Sequence, residues 1–467
     1  DDKYINDLYP NMREFVGRKR ELETLERYYS SSGNRCCAIY GRRRIGKTAL
    51  VSRFVEDKKH FWFTASDTGL SDNISRFGHE VRKVMSEDPP EDVFGIFSAL
   101  ERMIDSGPLV IVMDEFPDLV SASPIVASLM QEFIDRRLQK TESYLIVLGS
   151  SISAMKSEIL DERKPLFGRF GCLMELKPLP YTDCRKLVPD MSDEDAMSLF
   201  CIFGGIPLYY ISVTGRTFHE CLVLDLLNAD SLFSTEADAV ILRELTPISP
   251  YKSILSAISR GATTQNEIVG RTGIPQSTIS GYLSRLEIIG LVSADKPVFG
   301  GSRRPVYRIS DRLLDWHFSV LGRYGASART EDLEALAESL KEEISAFLGR
   351  GFEHACREYV ARRFTCLELG SWWGRADGED TDIDVAAIAR IDGSKTAIMG
   401  ECKFRNKETT YATLESLRKR ASAVGTPLSI HLMLFSRSGF SESLMDAEED
   451  GQVELIGLDR MLSIDER

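Results

Sequence analysis

The chain has 467 residues, 43% of them hydrophobic and 28% charged, with a formal net charge of −13. Those proportions describe an ordinary globular protein of about three domains and exclude a disordered or fibrous chain. The acidic balance also argues against a protein coated all over in nucleic acid, although charge must be read segment by segment.

No apolar run approaches the roughly 20 residues of a membrane span. The first residues, Asp1 to Ile5, lack the basic stretch and apolar core of an export signal, and they lack a Met. Nine cysteines are scattered without a CxxC, and the six histidines do not cluster with them. The expectation is a cytoplasmic, reduced, zinc-free protein with no membrane attachment.

In chain order, Phe15-Val16-Gly17-Arg18 leads into a helix that runs to about residue 30. A turn made by Val16, Gly17 and Arg18 ahead of a phosphate-binding loop can wrap an adenine ring, or can be a plain helix entry. Residues 36–40 read as a short buried strand, and 48–55 as an amphipathic helix. Between them lies Gly41-x-x-x-x-Gly46-Lys47-Thr48. Glycine at 41 and 46 allows the tight turn that points successive N–H groups at phosphate oxygens, and the helix N-terminus adds a favourable dipole. Lys47 is placed to reach the β- and γ-phosphates, and the Thr48 hydroxyl to sit on Mg²⁺.

Residues 61–64 read as a second strand and 70–106 as helices. The run 108–113 is unbroken and apolar, as in a parallel strand buried on both faces, and ends in Asp114-Glu115. Acids at that rim suit a nucleotide site: Asp114 for the Mg²⁺ water shell, Glu115 to polarise the attacking water. A further strand at 144–148 ends in Gly149-Ser150-Ser151, where Ser150 either contacts the γ-phosphate or lytic water, or belongs to a helix cap. Arg169 precedes the strand 172–176 and is either an arginine finger or a solvent or salt-bridge Arg. Alternating strands and helices to about 177 give a doubly wound, mostly parallel α/β sheet. From 178 to about 245 the pattern is helical, broken by Gly204-Gly205-Ile206-Pro207.

The segments 15–18, 41–48, 114–115, 149–151, 168–169 and 204–207 occur in the order found in the archaeal-type ATPase family of AAA+/STAND-like proteins, which this half of the chain resembles. The resemblance implies ATP rather than GTP, a helical lid over the nucleotide, and often a C-terminal nuclease-like module. No Asn-Lys-x-Asp guanine reader is visible.

Residues 250–312 carry nine Lys or Arg against four Asp or Glu, a basic segment in an acidic chain. A helix at 253–258, a capping box from Thr264 to Glu267, a Gly turn at 272–275, a helix at 277–288 and a hairpin around 299–302 together spell a winged helix-turn-helix. Gln276, Ser277, Thr278 and Arg285 are candidates for a DNA major groove, with Arg303 and Arg304 on phosphates. The alternative is a winged helix used only for protein packing. Residues 313–343 read as a helical connector with an acidic, solvated face.

In the last segment Glu353 begins a helix, and Trp372-Trp373-Gly374 precedes a strand at 381–388. A turn at 391–393 leads into 396–404. On that strand Glu401 and Lys403 project from one face, and Asp384 lies on the hairpin partner. Two such carboxylates can hold Mg²⁺ or Mn²⁺, with the Cys402 carbonyl as a further oxygen and Glu353 completing the shell. Lys403 is suited to orient or deprotonate the attacking water and to stabilise the developing phosphorane charge. The Asp…Glu-x-Lys arrangement resembles the PD-(D/E)xK nuclease superfamily, with Ile383 where the motif's proline would be. The resemblance implies a restriction-endonuclease-like α/β fold, active or reduced to binding.

The expected modules are an ATPase core (1–177), a helical lid (178–249), a winged helix (250–312), a helical connector (313–345) and a nuclease-like domain (346–467). The leading expectation is an ATP-controlled protein acting on double-stranded or branched DNA, with a homo-oligomer as one option, in which Arg169 serves its own subunit or a neighbour. The alternatives are a nucleotide-switched DNA-binding regulator and a signalling scaffold that never touches DNA.

Overall fold

The computed structural model describes residues 15–463 except 32, 86–87, 301–303, 325–331 and 377. It divides into two compact units. One holds the described residues up to Pro178 together with Ile206–Leu208; the other holds Leu179–Gly205 and those from Tyr209 onward.

In the first unit, β1 (Cys36–Tyr40), β2 (His60–Thr64), β3 (Val110–Asp114), β4 (Tyr144–Gly149) and β5 (Cys172–Glu175) form a five-stranded sheet. Its order is β2-β3-β4-β1-β5 and every pairing is parallel. All residues of β1, β3 and β4 are buried, so these central strands read as unbroken apolar runs. Edge strand β5 instead alternates, with Leu173 exposed between buried Cys172 and Met174. Phe61, Phe63, Phe77, Ile111 and Phe133 anchor the core on the sheet, each side chain contributing about 2 kcal/mol of burial. The register brings Tyr40 beside Gly149 and Thr64 beside Asp114, so the C-terminal strand ends share one rim. That rim is where such sheets bind ligands.

The second unit contains the helices Asp193–Phe203 and Lys341–Arg363, packed together. Gly351 permits the close approach: a Cβ there would lie 2.4 Å from Cys201 Cβ. The winged helix follows as helices Ile248–Ser259, Gln265–Thr272 and Gln276–Ile288, then β6 (Val292–Asp295) antiparallel to β7 (Val306–Ile309). The Thr264 to Glu267 capping box is present in both directions. Its core of Ile254, Leu255, Ile268, Ile279, Leu283 and Leu286 also takes in Ala237, Val240 and Ile241 from the preceding helix, Leu232–Glu244.

The chain ends in a mixed sheet of β8 (Thr365–Ala376), β9 (Glu379–Ile391), β10 (Ser394–Lys403), β11 (Ser429–Ser436) and β12 (Glu454–Ile456). Its order is β12-β11-β10-β9-β8, with β8, β9 and β10 an antiparallel meander and β11 and β12 joined in parallel.

Three local expectations change. Trp372-Trp373-Gly374 does precede the expected strand, β9, but itself lies inside a further strand, β8, and Trp372 is in the core. Register shifts near Cys366 and Gly370 break the period-two signal there. Lys341–Arg363 is one continuous 23-residue helix, so Glu353 sits mid-helix, not at its start. The acidic first turn of this helix had read as connector. Finally, the β6–β7 loop docks on the C-terminal sheet: Val298 is buried in that sheet's core, and its N–H donates to the Ser371 carbonyl at 3.0 Å. Among the described residues no helix is long and apolar enough to cross a membrane.

Candidate functional site

The phosphate-binding loop is shaped by backbone that only glycine adopts easily. Gly41 has φ 153° and Gly46 φ 93°, and a Cβ on Gly41 would meet the Leu176 carbonyl at 2.8 Å. Helix Lys47–Val55 starts directly behind Gly46. Lys47 is buried, and its Nζ donates to the carbonyls of Gly41 (2.9 Å) and Arg42 (3.2 Å). The ammonium is therefore held across the mouth of the loop. Thr48 Oγ1 donates to Asp114 Oδ2 at 3.2 Å, joining the two groups that suit Mg²⁺. Burial and the neighbouring Glu115 push the Asp114 carboxyl up to about 6. A buried carboxylate crowded by a second one is where a hard cation is stabilising, so Thr48 and Asp114 fit Mg²⁺.

Glu115 has φ 51°, an uncommon left-handed conformation for a non-glycine residue. Its carboxylate accepts from the Ser150 hydroxyl at 2.6 Å and the Ser150 N–H at 3.0 Å. Ser150 therefore bonds to Glu115, while Ser151 is the helix cap, accepting from Ala154 N–H. Gly17 and Arg18 both have positive φ. The buried Arg18 guanidinium donates to the Ile45 carbonyl at 3.1 Å and pairs with Glu21 at 3.0 Å. Its visible work is to brace the phosphate loop; Val16 and Gly17 stand half-buried beside it. Arg169 is engaged with Asp135 (Nη2 to Oδ2, 3.1 Å) and the Phe167 carbonyl (2.8 Å).

The second constellation lies at the end of β10. The β9–β10 register runs to Gly400 opposite Val385, which sets Glu401 near Asp384. Glu401 is buried, and Lys403 Nζ donates to its Oε1 at 2.5 Å. Asp384 Oδ2 accepts from Cys402 N–H at 2.8 Å, and Arg357 Nη1 donates to the Asp384 carbonyl at 2.7 Å. Burial, then Glu401 and Glu353, raise the Asp384 carboxyl to about 7. Glu353 is raised by burial, against the pull of Arg357 and Arg308; Arg357 stands 3.7 Å from it.

One residue here escaped the sequence reading. Arg420, on helix Tyr411–Val424, places Nη2 2.7 Å from Glu401 Oε2 and donates Nη1 to the Asp382 carbonyl at 2.7 Å. The only signal was the basic run Arg418-Lys419-Arg420, which no spacing rule ties to Glu401. Among the described residues no three His, Cys, Asp or Glu side chains are grouped to hold a metal. The buried Oε2 of Glu401 nonetheless accepts no hydrogen bond among them. Asp384 and Glu401 are the two carboxylates here that could hold a divalent cation, but Oε2 of Glu401 is taken up by Arg420 and Glu353 is not grouped with the pair.

On the winged helix, Gln276, Ser277 and Thr278 are exposed at the start of helix Gln276–Ile288. Arg285 is exposed as well but donates to the Glu244 carbonyl at 3.4 Å. Arg304 is exposed before β7; Arg303 lies outside the described residues.

Residues 15–213 match the family described as an ATPase domain predominantly from Archaea. Residues 252–294 match the bacterial regulatory proteins of the arsR family, and 317–414 a family described as archaeal and bacterial proteins of unknown function. An uncharacterized protein of Methanocaldococcus jannaschii is 31% identical over 403 residues, covering 84% of this chain and 88% of the relative. An uncharacterized ATP-binding protein of the same organism is 51% identical over 45 residues, 10% of this chain and 76% of that one. Among solved structures, a Walker-type ATPase of Pyrococcus abyssi shares the fold with a TM-score of 0.53 at 17% identity, over 66% of this chain and 96% of that one. With the phosphate loop, the Asp114-Glu115 rim, the helix-turn-helix and the C-terminal sheet in place along one chain, this protein belongs to the archaeal-type ATPase family, as an ATPase domain followed by an ArsR-like helix-turn-helix and a C-terminal α/β domain.

Proposed function

We propose that this is an ATP-hydrolysing, DNA-acting protein of the cytoplasm whose nucleotide state governs a winged helix and a metal-dependent nuclease site. The observation that carries the nuclease half is the gathering of Asp384, Glu401 and Lys403 at one point on two paired strands. In the ATPase step, Lys47 and the loop N–H groups hold the phosphates, and Glu115, fixed by Ser150, orients the attacking water. Thr48 and Asp114 would hold Mg²⁺, which would supply neutralisation of the developing charge. Arg169 acts on the γ-phosphate in its own or a neighbouring subunit only after leaving Asp135.

At the C-terminal site Asp384 and Glu401 would hold Mg²⁺ or Mn²⁺, which would supply charge stabilisation of the attacked phosphate. Lys403 orients the water there, and Gln276, Ser277, Thr278 and Arg304 supply the DNA contacts.

A single helix supports coupling between the two chemistries. Lys341–Arg363 carries Glu353 and Arg357 beside the nuclease site. One turn on, Glu358 accepts from Tyr181 N–H at 2.9 Å, and Arg362 donates to the Thr182 hydroxyl. Tyr181 and Thr182 lie just beyond Leu179 and Pro180, past Pro178, where the chain first leaves the ATPase unit. A change in that segment is thus delivered to the helix that shapes the nuclease site.

The second reading is a nucleotide-switched DNA-binding regulator with a non-cleaving fold, favoured by the pairing of Glu401 with two cations of its own. Cleavage of plasmid and branched DNA in Mg²⁺ or Mn²⁺, with and without ATP, separates the two. Cutting that is lost in Glu401→Ala and altered in Lys47→Ala supports the ATP-coupled nuclease. No cutting, with ATP hydrolysis intact, leaves the regulator.

A further inference from the structure

The side chains around Glu401 show how a resting nuclease site can be kept closed to metal. Glu401 is the most enclosed carboxylate of the constellation, and both its oxygens face cations of the chain itself. Lys403 forms an aligned hydrogen bond to Oε1. Arg420 does not do the same at Oε2: its Nη2 lies 2.7 Å away, yet that oxygen accepts no hydrogen bond among the described residues. The contact is one of charge against charge, with no N–H aimed along the lone pair. Arg420 is itself largely buried, its side chain 14% exposed, and is steered from behind by the Asp382 and Ser416 carbonyls. A guanidinium so held takes up Oε2 of Glu401, an oxygen that a divalent cation on this carboxylate would also use.

The fork of a guanidinium matches a phosphate better than a single buried carboxylate oxygen, since two parallel N–H groups meet two oxygens. We propose that Arg420 is the resting counter-ion of Glu401 and passes to the DNA phosphate when a divalent cation takes its place, so that metal and DNA enter the site together. The inference rests on the nuclease reading above and adds a residue and an order to it. Arg420 is then a substrate-contacting group, and the empty enzyme binds metal weakly by construction. No bond is made or broken in the exchange; a divalent cation replaces Arg420 on Glu401, and the arriving phosphate neutralises the displaced guanidinium.

The test is calorimetric titration of the full-length protein with Mn²⁺, in the absence and presence of a duplex carrying non-hydrolysable phosphorothioate linkages, for wild type, Arg420→Gln and Arg420→Lys. Lys47→Ala is used as background throughout, so that metal bound with nucleotide does not contribute. Removing the charge should tighten Mn²⁺ binding without DNA by on the order of tenfold, as expected for deleting a close competing cation. It should also abolish most of the enhancement that DNA gives wild type, while Arg420→Lys, which keeps the charge and loses the fork, should stay weak without DNA. Unchanged or weaker Mn²⁺ binding in a folded Arg420→Gln protein would overturn the proposal and leave Arg420 a structural ion pair. If the Gln variant fails to fold, the Lys variant decides: tight binding without DNA, or full enhancement with it, overturns the exchange. Absence of Mn²⁺ binding in every protein overturns the metal-dependent nuclease reading as well, which distinguishes the two failures.

Discussion

The phosphate loop and the C-terminal carboxylate site handle negative charge in opposite ways. At Gly41–Thr48 the ligand is met mainly by backbone N–H groups and one ammonium, Lys47, parked on two carbonyls of its own loop. Those partners are weak acceptors that give the ammonium up at little cost when a phosphate arrives. At the C-terminal site the charged groups are already matched: Lys403 and Arg420 sit on Glu401, and Arg357 stands near Glu353. A buried ion pair of that kind resists separation, because removing one partner strands the other. The ATPase site is pre-organised for its ligand, whereas on the proposed nuclease reading the carboxylate site must exchange partners before it can act. That reading would make the second site the point of control, through helix Lys341–Arg363.

The contrast can be broken most sharply at Lys47. Lys47→Ala should lower ATP hydrolysis by at least about 10²-fold, measured as phosphate release, because it removes the ammonium held on the Gly41 and Arg42 carbonyls at the phosphate loop. A loss under about fivefold would mean that the backbone cradle alone suffices. Next in size, Asp384→Asn should reduce DNA cleavage about 10²-fold, with duplex affinity held within about twofold. A matching loss of affinity would show instead that Asp384 supports the fold.

Ser150→Ala sharpens the comparison from the ATPase side. The Ser150 N–H still reaches Glu115 when the hydroxyl is gone. The expected effect is therefore about tenfold in kcat with KM for ATP within about twofold. A rise in KM alone would place Ser150 on the nucleotide and not behind Glu115.

The smallest effect concerns coupling. Burial raises the Glu358 carboxyl from 4.5 to about 7, against the Tyr181 N–H that lowers it. From about pH 4.5 to pH 7 the folded protein keeps a proton that the unfolded chain releases, so stability is lost as pH rises through that window. Glu358→Gln should remove this slope and be the more stable protein at pH 7, by about 3 kcal/mol at most. Denaturant unfolding at pH 5 and pH 7.5 measures it. An unchanged slope would mean that the Glu358 carboxylate is solvated in the folded state.

Much of this molecule is written locally. The turn at Gly41 and Gly46, the buried runs ending in Asp114 and Gly149, and the Thr264 capping box each depend on residues a few positions apart, so spacing alone was sufficient to read them. The period-two placement of Glu401 and Lys403 was legible for the same reason. Other features rest on contacts between segments distant in sequence. Arg420 reaches Glu401 only because helix Tyr411–Val424 packs on the C-terminal sheet. Ser150 meets Glu115 because β3 and β4 are neighbours. Strand β8 was hidden by its register shifts, and the docking of Val298 by a loop with no pattern of its own. Sequence determined which chemical groups are present and the local geometry that presents them. Tertiary structure decided which of those groups are already paired, because charge and hydrogen-bond partners are chosen by distance in space and not by distance along the chain.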